Sequence, residues 1–558
     1  MFAHLGRIGR VAAALSASAA ASAASASLAA ATSPSSAASA LDALGEEGHI
    51  VENWSGTHSA APRLYLEPES ADEVQRALEL AAEAGRRVRV VGSALSPNGI
   101  GLSDDAMLNM VQCSRILAVD TAKQQVTVQA GARVTEVVEA LRPHGLTLQN
   151  YASIAEQQIG GFLQVGAHGT GAAVPPVDEQ VVRMRLHTPA LGALELSEER
   201  NPRLFWLAKV GLGWLGVVSE VTLQCVPAHK LVQRTFVETR AGVEARHAEH
   251  LAHQHMRYMW IPHTDTVVVV TCDPVGSALG GDEPSPTGGA AAAVAATAAA
   301  GGEGGAVQEP AEEPLRALLL RKDAKLGARA ARSMNFAQLR DALLALAPLD
   351  REHVIEVNRA EAEFWRRSQG VRVDWSDKLL GFECGGQQWV SEVCFPAGPQ
   401  SAPSGADLGY MRDLLAAIEG SDLPTPSPIE QRWTARSRAR MSPAHSAAED
   451  ARFSWVGIIM YLPTEDTAQR AAITSRFWEY NDLCRHRLWE KYGAHQHWAK
   501  IEVPHSAAQL ANVRRRLAER YPLEELNAAK RQLDPSNVLG NDLVDTLLRD
   551  ERASGWTR

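Results

Sequence analysis

The sequence has little cysteine. Cys113, Cys225, Cys272, Cys384, Cys394 and Cys484 are scattered over 558 residues, and no two form a CxxC pair. That spacing excludes the common zinc and redox-disulfide signatures, so no metal is expected. Sparse thiols suit a reducing compartment, and most read as small buried residues. There is no excess of basic charge. The 55 Lys and Arg face 65 Asp and Glu, a net of −10. This argues against nucleic acid as the main partner. It suits a basic partner weakly, because net charge speaks to association and not to fold.

Acidic residues are missing from the first 41 positions. That stretch holds Arg7 and Arg10 and is otherwise mostly Ala and Ser; the first acid is Asp42. An Arg-bearing, Ser/Ala-rich, acid-free start is the pattern of an organelle transit peptide. Residues 1–41 are therefore expected to be removed and disordered. Their loss would take the net charge from −10 to −12, because two arginines go with them. Long apolar runs are missing too. Val11–Ala31 is diluted by serines and makes a poor membrane span.

What is present is an α+β pattern long enough for two or three domains. Residues 50–235 alternate short strands and helices. Asp72–Ala84 is helical, with Val74, Ala77, Leu78 and Ala81 at i, i+3, i+4 and i+7. Val88–Val91 and Gln125–Gln129 are strands stopped by glycine, and Val134–Leu141 is a helix ended by Gly145. A second region spans 236–504. Thr266–Cys272 and Trp455–Leu462 are buried strands. Between them, residues 276–313 are Ala, Gly, Pro and Glu and read as a disordered insertion. Residues 505–548 are helical, and Arg514, Arg515 and Arg516 read as a solvated face.

Three glycine-rich stretches invite a phosphate reading. Gly211-Leu212-Gly213-Trp214-Leu215-Gly216 fits GxGxxG, but it follows a helix (Asn201–Val210) and precedes a strand (Val217–Cys225). A dinucleotide fingerprint needs the reverse order, so these glycines read as a tight turn. The run Val91-Gly92-Ser93-Ala94-Leu95-Ser96-Pro97-Asn98-Gly99 does follow a strand. Gly160–Gly171 packs five glycines into twelve residues. Each glycine costs about 0.5–1 kcal/mol relative to Ala, so such density points to close backbone approach. Neither loop has Lys or Arg; a pyrophosphate there would rest on N–H dipoles. Spacing alone leaves open whether they hold a ligand or merely connect elements.

Longer motifs carry a resemblance. Asn53-Trp54-Ser55-Gly56, GSALSPNGIGLS, LTLQNYASIAEQQIGGFLQVGAHGTGA, GFECGGQQWVSEVCFPAG, PIEQRWTARS, SWVGIIMYLP and HWAKIE resemble the plant-type L-galactono-1,4-lactone dehydrogenases. These are aldonolactone oxidoreductases of the vanillyl-alcohol-oxidase flavoprotein family. The likeness runs from about Ile50 to Leu548, the insertion excepted. It implies a two-subdomain FAD-binding domain over 50–235 and an α+β cap (substrate) domain over 236–504. The segment 505–548 would return to the FAD domain. It also implies oxidation of an aldonolactone to ascorbate and cytochrome c as acceptor. The expected location is mitochondrial, at the inner membrane facing the intermembrane space. Two alternatives are an oxidase using oxygen and a respiratory complex I assembly factor that retains FAD.

The resemblance assigns residues. FAD is expected at Val91, Gly92, Ser93, Ala94, Leu95, Ser96, Ala152, Ser153, Gly160, Gly161, Gly166, Ala167, His168, Gly169, Thr170, Gly171 and Val218. Leu95 stands where covalent relatives carry a flavin-bonded His, so non-covalent FAD is implied. Ala152 stands where oxidases carry Gly, which implies a dehydrogenase. Glu430 and Arg432 would grip the lactone from one face of a strand, and Arg432 would favour developing negative charge. Lys500 resembles an active-site lysine, and Cys384 an oxidation-sensitive thiol near the substrate. Two departures stand out. Ala94 and Trp214 replace glycines, and Ala94 is costly if that position needs positive φ.

Overall fold

The computed structural model describes residues 34–281, 309–381 and 385–550. The fold starts with the helix Pro34–Asp42, which packs on the helix Ala71–Ala84. Ala37 and Leu41 are fully buried between them. Arg86 closes the contact, donating to Asp42 at 2.5 Å and to Asp105 at 3.1 Å. The expectation that 1–41 is wholly outside the fold is thus corrected. Small alanines look featureless in composition, yet they let two helices approach closely. Ala71–Ala84 forms where the periodicity placed it. Ser70 caps its start by accepting from the Glu73 N–H, and Gly85 ends it at φ 65°.

This pair covers a parallel three-stranded sheet in the order Leu64–Leu66, Ala106–Asn109, Arg89–Val91. Beside it lies an antiparallel five-stranded sheet. Its order is Gly192–Ser197, Val181–Thr188, Val217–Gln224, Gln125–Gln129, Ile116–Asp120. Together these are the two α+β subdomains. The Gly211–Gly216 turn joins the helix Pro202–Ala208 to the strand Val217–Gln224, with Leu212 and Gly213 at φ 60° and 64°.

The cap is an eight-stranded antiparallel sheet. Its order is Gly370–Trp375, Lys230–Glu238, Thr266–Pro274, His255–Ile261, Ile429–Ala435, Ala451–Tyr461, Gln388–Pro399, His495–Gln496. The boundary at 235/236 is corrected, because it would cut Lys230–Glu238, which pairs with Thr266–Pro274 from Leu231 to Glu238. Alternation sorts the sheet's two faces. Tyr258, Trp260, Val267 and Val269 face the helices Arg240–His250, Ala406–Glu419 and Thr467–Cys484. Met259, Ile261, Val268 and Val270 face the other way, toward the helix Arg351–Arg367.

Three helices, Ala507–Arg520, Leu523–Leu533 and Asp542–Leu548, return to the FAD domain. They add Val513, Leu517, Leu526, Leu533, Val544 and Leu547 to its core. The solvated reading of Arg514–Arg516 holds for Arg515 alone. Arg514 donates to the Arg549 carbonyl, and Arg516 to those of Trp489 and Ala494, because carbonyls at element ends need donors. The insertion is narrower than 276–313. The Gly276 N–H bonds the Gly281 carbonyl, and the helix Glu313–Lys322 starts inside the expected span. The rest of the insertion, and Cys384, lie outside the described residues. Among the described residues no helix is long and apolar enough to cross a membrane.

Candidate active site

Two cavities meet where the subdomains face the cap. They span about 910 and 1610 Å³ of space, open solvent included. Leu95, Ser96, Gln157 and Val165 line both, so the spaces are continuous.

The first cavity is a groove built by backbone. Val91 to Ser96, Gly160, Gly161 and Val218 form its walls. The strand Arg89–Val91 ends at the loop, and Ala94 turns it at φ 51°. That is the left-handed conformation expected to be costly for Ala. Among the described residues, the N–H groups of Ser93, Ala94, Leu95 and Ser96 have no protein acceptor. Gly161 faces open space where a Cβ would be. Among the described residues the groove has one cation, and it is spent. Arg89 is 1 % exposed and donates to the carbonyls of Ile100, Leu539 and Leu212 at 2.7, 2.9 and 2.6 Å. Leu212, Gly213 and Gly216 also line it. The GxGxxG stretch is therefore a turn, as its order of elements predicts, yet it still forms a wall. A turn's outer face is invisible to the motif test.

The second cavity is built by side chains on the inner face of the cap sheet. Register explains the arrangement. Arg257 pairs with Arg432, and Met259 with Glu430. On the next strand Gly457 lies opposite Glu430, and across from Gly457 lies Glu392. Period-two alternation then points Arg257, Glu430, Arg432 and Glu392 at one cavity. Gly457 puts no side chain between them, and Arg432 Nη2 reaches Glu392 Oε1 at 2.7 Å. Lys500 Nζ donates to Glu392 Oε2 at 2.6 Å from the turn after His497. Glu430 meets Arg257 Nη1 at 3.2 Å and Arg432 Nε at 3.5 Å.

Glu392 is 2 % exposed. Burial by itself would raise its carboxyl, but Lys500, Arg432 and His168 outweigh burial and hold it well below the usual carboxylate range. His168 Nε2 lies 3.3 Å from Glu392 Oε2, and its ring stacks on Trp455 at 3.7 Å. Burial lowers His168, and burial with Lys500 lowers His497, so both rings are neutral near pH 7. His168, Glu392 and His497 bring ligand atoms within 4.8 Å of one another. Both oxygens of Glu392 already serve cations, however, so the trio reads as part of an ion-pair cluster.

Of the sequence-assigned residues, Leu95, Ser96, Ala152, Ser153, Ala167, His168, Glu430, Arg432 and Lys500 share the second cavity. Gly166, Gly169, Thr170 and Gly171 line neither of the two. Thr170 and Gly171 join the FAD domain to the cap. The Gly171 N–H donates to the Trp433 carbonyl at 2.7 Å, and Thr170 Oγ1 donates to the Met256 carbonyl. A Cβ on Gly169 would sit 2.0 Å from Asn150 Oδ1. Glycine density reports close approach without saying to what. Sequence reasoning missed Arg257, Glu392 and Gln157. A signal existed for Glu392, a lone acid in the apolar run Trp389–Phe395. Gln157 had none, though its Oε1 is buried without a partner where the cavities join.

The residues present fit FAD. Unbonded N–H groups and Gly161 leave a cradle for a pyrophosphate. The orphaned Gln157 acceptor stands at the junction, and the cation-rich wall lies beyond it. The chain matches two family models, an FAD binding domain over residues 62–196 and D-arabinono-1,4-lactone oxidase over 336–547. It is similar to the mitochondrial L-galactono-1,4-lactone dehydrogenase of Arabidopsis thaliana. They are 48% identical over 512 residues, 90% of this chain and 82% of that one. A second relative, L-galactono-1,4-lactone dehydrogenase 1 of Oryza sativa subsp. japonica, is 49% identical over 90% of this chain and 84% of its own. Among solved structures, cholesterol oxidase of Brevibacterium sterolicum shares the fold. Its TM-score is 0.61 at 16% identity, covering 89% of this chain and 96% of that one.

Proposed function

The chain belongs to the family of the L-galactono-1,4-lactone dehydrogenases, and we propose that it oxidises L-galactono-1,4-lactone to L-ascorbate in the cavity beneath its cap. The observation that carries this reading is the single sheet face bearing Arg257, Glu430, Arg432 and Glu392, opposite Leu95, Ala152 and Ser153.

Bound FAD supplies the acceptor for the hydride that leaves C2 of the lactone. The chain's own residues do the rest. Glu430 and Arg432 grip the lactone hydroxyls and hold C2 in one orientation. Glu430 has 19% of its side chain exposed against 2% for Glu392. It is the carboxylate better placed to accept the hydroxyl proton. Arg257, Arg340, Arg432 and Lys500 outnumber Glu361, Glu392 and Glu430 by one charge, so the wall favours negative charge as it develops on the substrate. The 2-keto product then enolises.

The finer parts of the proposal rest on single residues. Leu95 offers no nucleophile, so the FAD is releasable. Ala152 lines the cavity at the position where related oxidases carry Gly, and its methyl would hinder oxygen, so electrons would pass to a protein acceptor, cytochrome c. The acid-free N-terminus and the mitochondrial relatives support a mitochondrial location, at the inner membrane facing the intermembrane space. Docking to a respiratory complex I assembly intermediate is compatible with catalysis.

Anaerobic addition of L-galactono-1,4-lactone should bleach the flavin spectrum of the purified protein. Acid precipitation should leave all FAD in the supernatant. Lactone should then drive cytochrome c reduction without oxygen uptake. A spectrum unchanged by the lactone overturns the substrate assignment.

A further inference from the structure

Lys500 and Arg432 approach the cavity from different directions. Arg432 comes from a central strand of the cap sheet, and Lys500 from the turn that leads back to the FAD domain. Both long side chains have many rotamers, and ordering each costs up to about 2 kcal/mol. One group holds both. Glu392 gives one oxygen to Arg432 at 2.7 Å and the other to Lys500 at 2.6 Å. Its own place is fixed. The His497 N–H donates to its backbone carbonyl at 2.9 Å, His168 packs beside its carboxylate, and a Cβ added to Gly457 would sit 3.8 Å from its Oε1. It lines the cavity, but it is 2 % exposed and both of its oxygens are taken by cations.

Burying an ion is costly unless it is paired and hydrogen-bonded. A hydrophobic residue would fill this spot more cheaply, so the carboxylate must act through its partners. We propose that Glu392 is a positioning residue for the reaction. It locks Arg432 and Lys500 across the cavity and sets the wall's charge at one net positive. This rests on the lactone-oxidising reading above for its kinetic consequence, but its electrostatic consequence does not. Glu392→Gln would leave the wall with four cations, Arg257, Arg340, Arg432 and Lys500, against Glu361 and Glu430. It would also free the ammonium and the guanidinium from their shared anchor.

The test uses FAD-loaded protein and three readouts. The first is flavin content with melting temperature. The second is the flavin midpoint potential by dye equilibration, which needs no lactone. The third is kcat and KM for L-galactono-1,4-lactone. The expected result for E392Q is retained FAD, a potential shifted positive and kcat lowered at least 100-fold. E392D should keep the wild-type potential and recover at least tenfold of the lost kcat. An unchanged potential, or a kcat within threefold of wild type, overturns the proposal. So does an activity loss that tracks lost FAD and is not relieved in E392D. If E392Q does not fold, E392D decides: its shorter arm serves only one cation, so kcat should fall about tenfold at constant potential, and wild-type kinetics would sink the idea. A wild-type protein inert to the lactone refutes the substrate reading and leaves the potential measurement standing.

Discussion

The groove and the chamber beneath the cap sit side by side and are made by opposite means. The groove is backbone. Its donors are the N–H groups of one loop, and the one arginine among its described lining residues is consumed by three carbonyls. The chamber is side chain. Its walls carry four cations and three carboxylates drawn from distant strands, helices and a turn. A backbone site offers partial charges that do not titrate and suits a cofactor that stays. A side-chain site offers full charges that can change the energy of a reacting substrate.

Four measurements would break or sharpen this contrast, from the largest effect down. Arg432→Ala should lower the rate of flavin reduction by lactone about 10²–10³-fold with FAD content unchanged. Reduction at near wild-type rate would remove Arg432 from the chamber's chemistry. Gly161→Leu should do the reverse. Its side chain enters the open space at the groove, so FAD content should fall below about half, while reconstituted protein keeps its kcat. Full flavin loading would show that the cradle lies elsewhere.

Acid should weaken the cap through its buried histidines. Burial lowers His250 and His255 to about 4, and His495 to about 3, from 6.5. The native rings stay neutral while the unfolded ones protonate, so the unfolded state binds more protons between pH 6.5 and about 4. The melting temperature should hold above pH 6.5 and fall steadily below it. A flat profile by scanning fluorimetry contradicts this. The smallest effect is in the groove. Ala94→Gly relieves positive φ (51°) and should stabilise the protein by about 1 kcal/mol in denaturant titration, with unchanged kcat.

The contrast also sorts what was legible in the sequence. The helices Ala71–Ala84 and Val134–Leu141 lie where their periodicity put them, and the strand Gln125–Gln129 is bounded as glycine bounded it. Ala94 shows the strain that its place in a glycine position foretold. Glu430 and Arg432 share a face because alternation along one strand is a local rule. Composition misled at the start of the chain, where alanines read as disorder form a packed helix. Glycine density is ambiguous in the same way, since Gly169 packs on Asn150 and Gly171 on the cap.

By itself the sequence determined the glycine loop, the alternating pair and, through its long motifs, the flavoprotein family. Only the tertiary structure decided what surrounds them. Glu392 meets Arg432 across 40 residues, Lys500 across 108 and His168 across 224. Strand order and register set those meetings, and no local period encodes either. The groove wall gained Leu212 and Gly213 in the same way, because a turn's partner is chosen by packing. Local rules fix which way a side chain points along its own strand. What it points at is fixed by the strands that fold beside it.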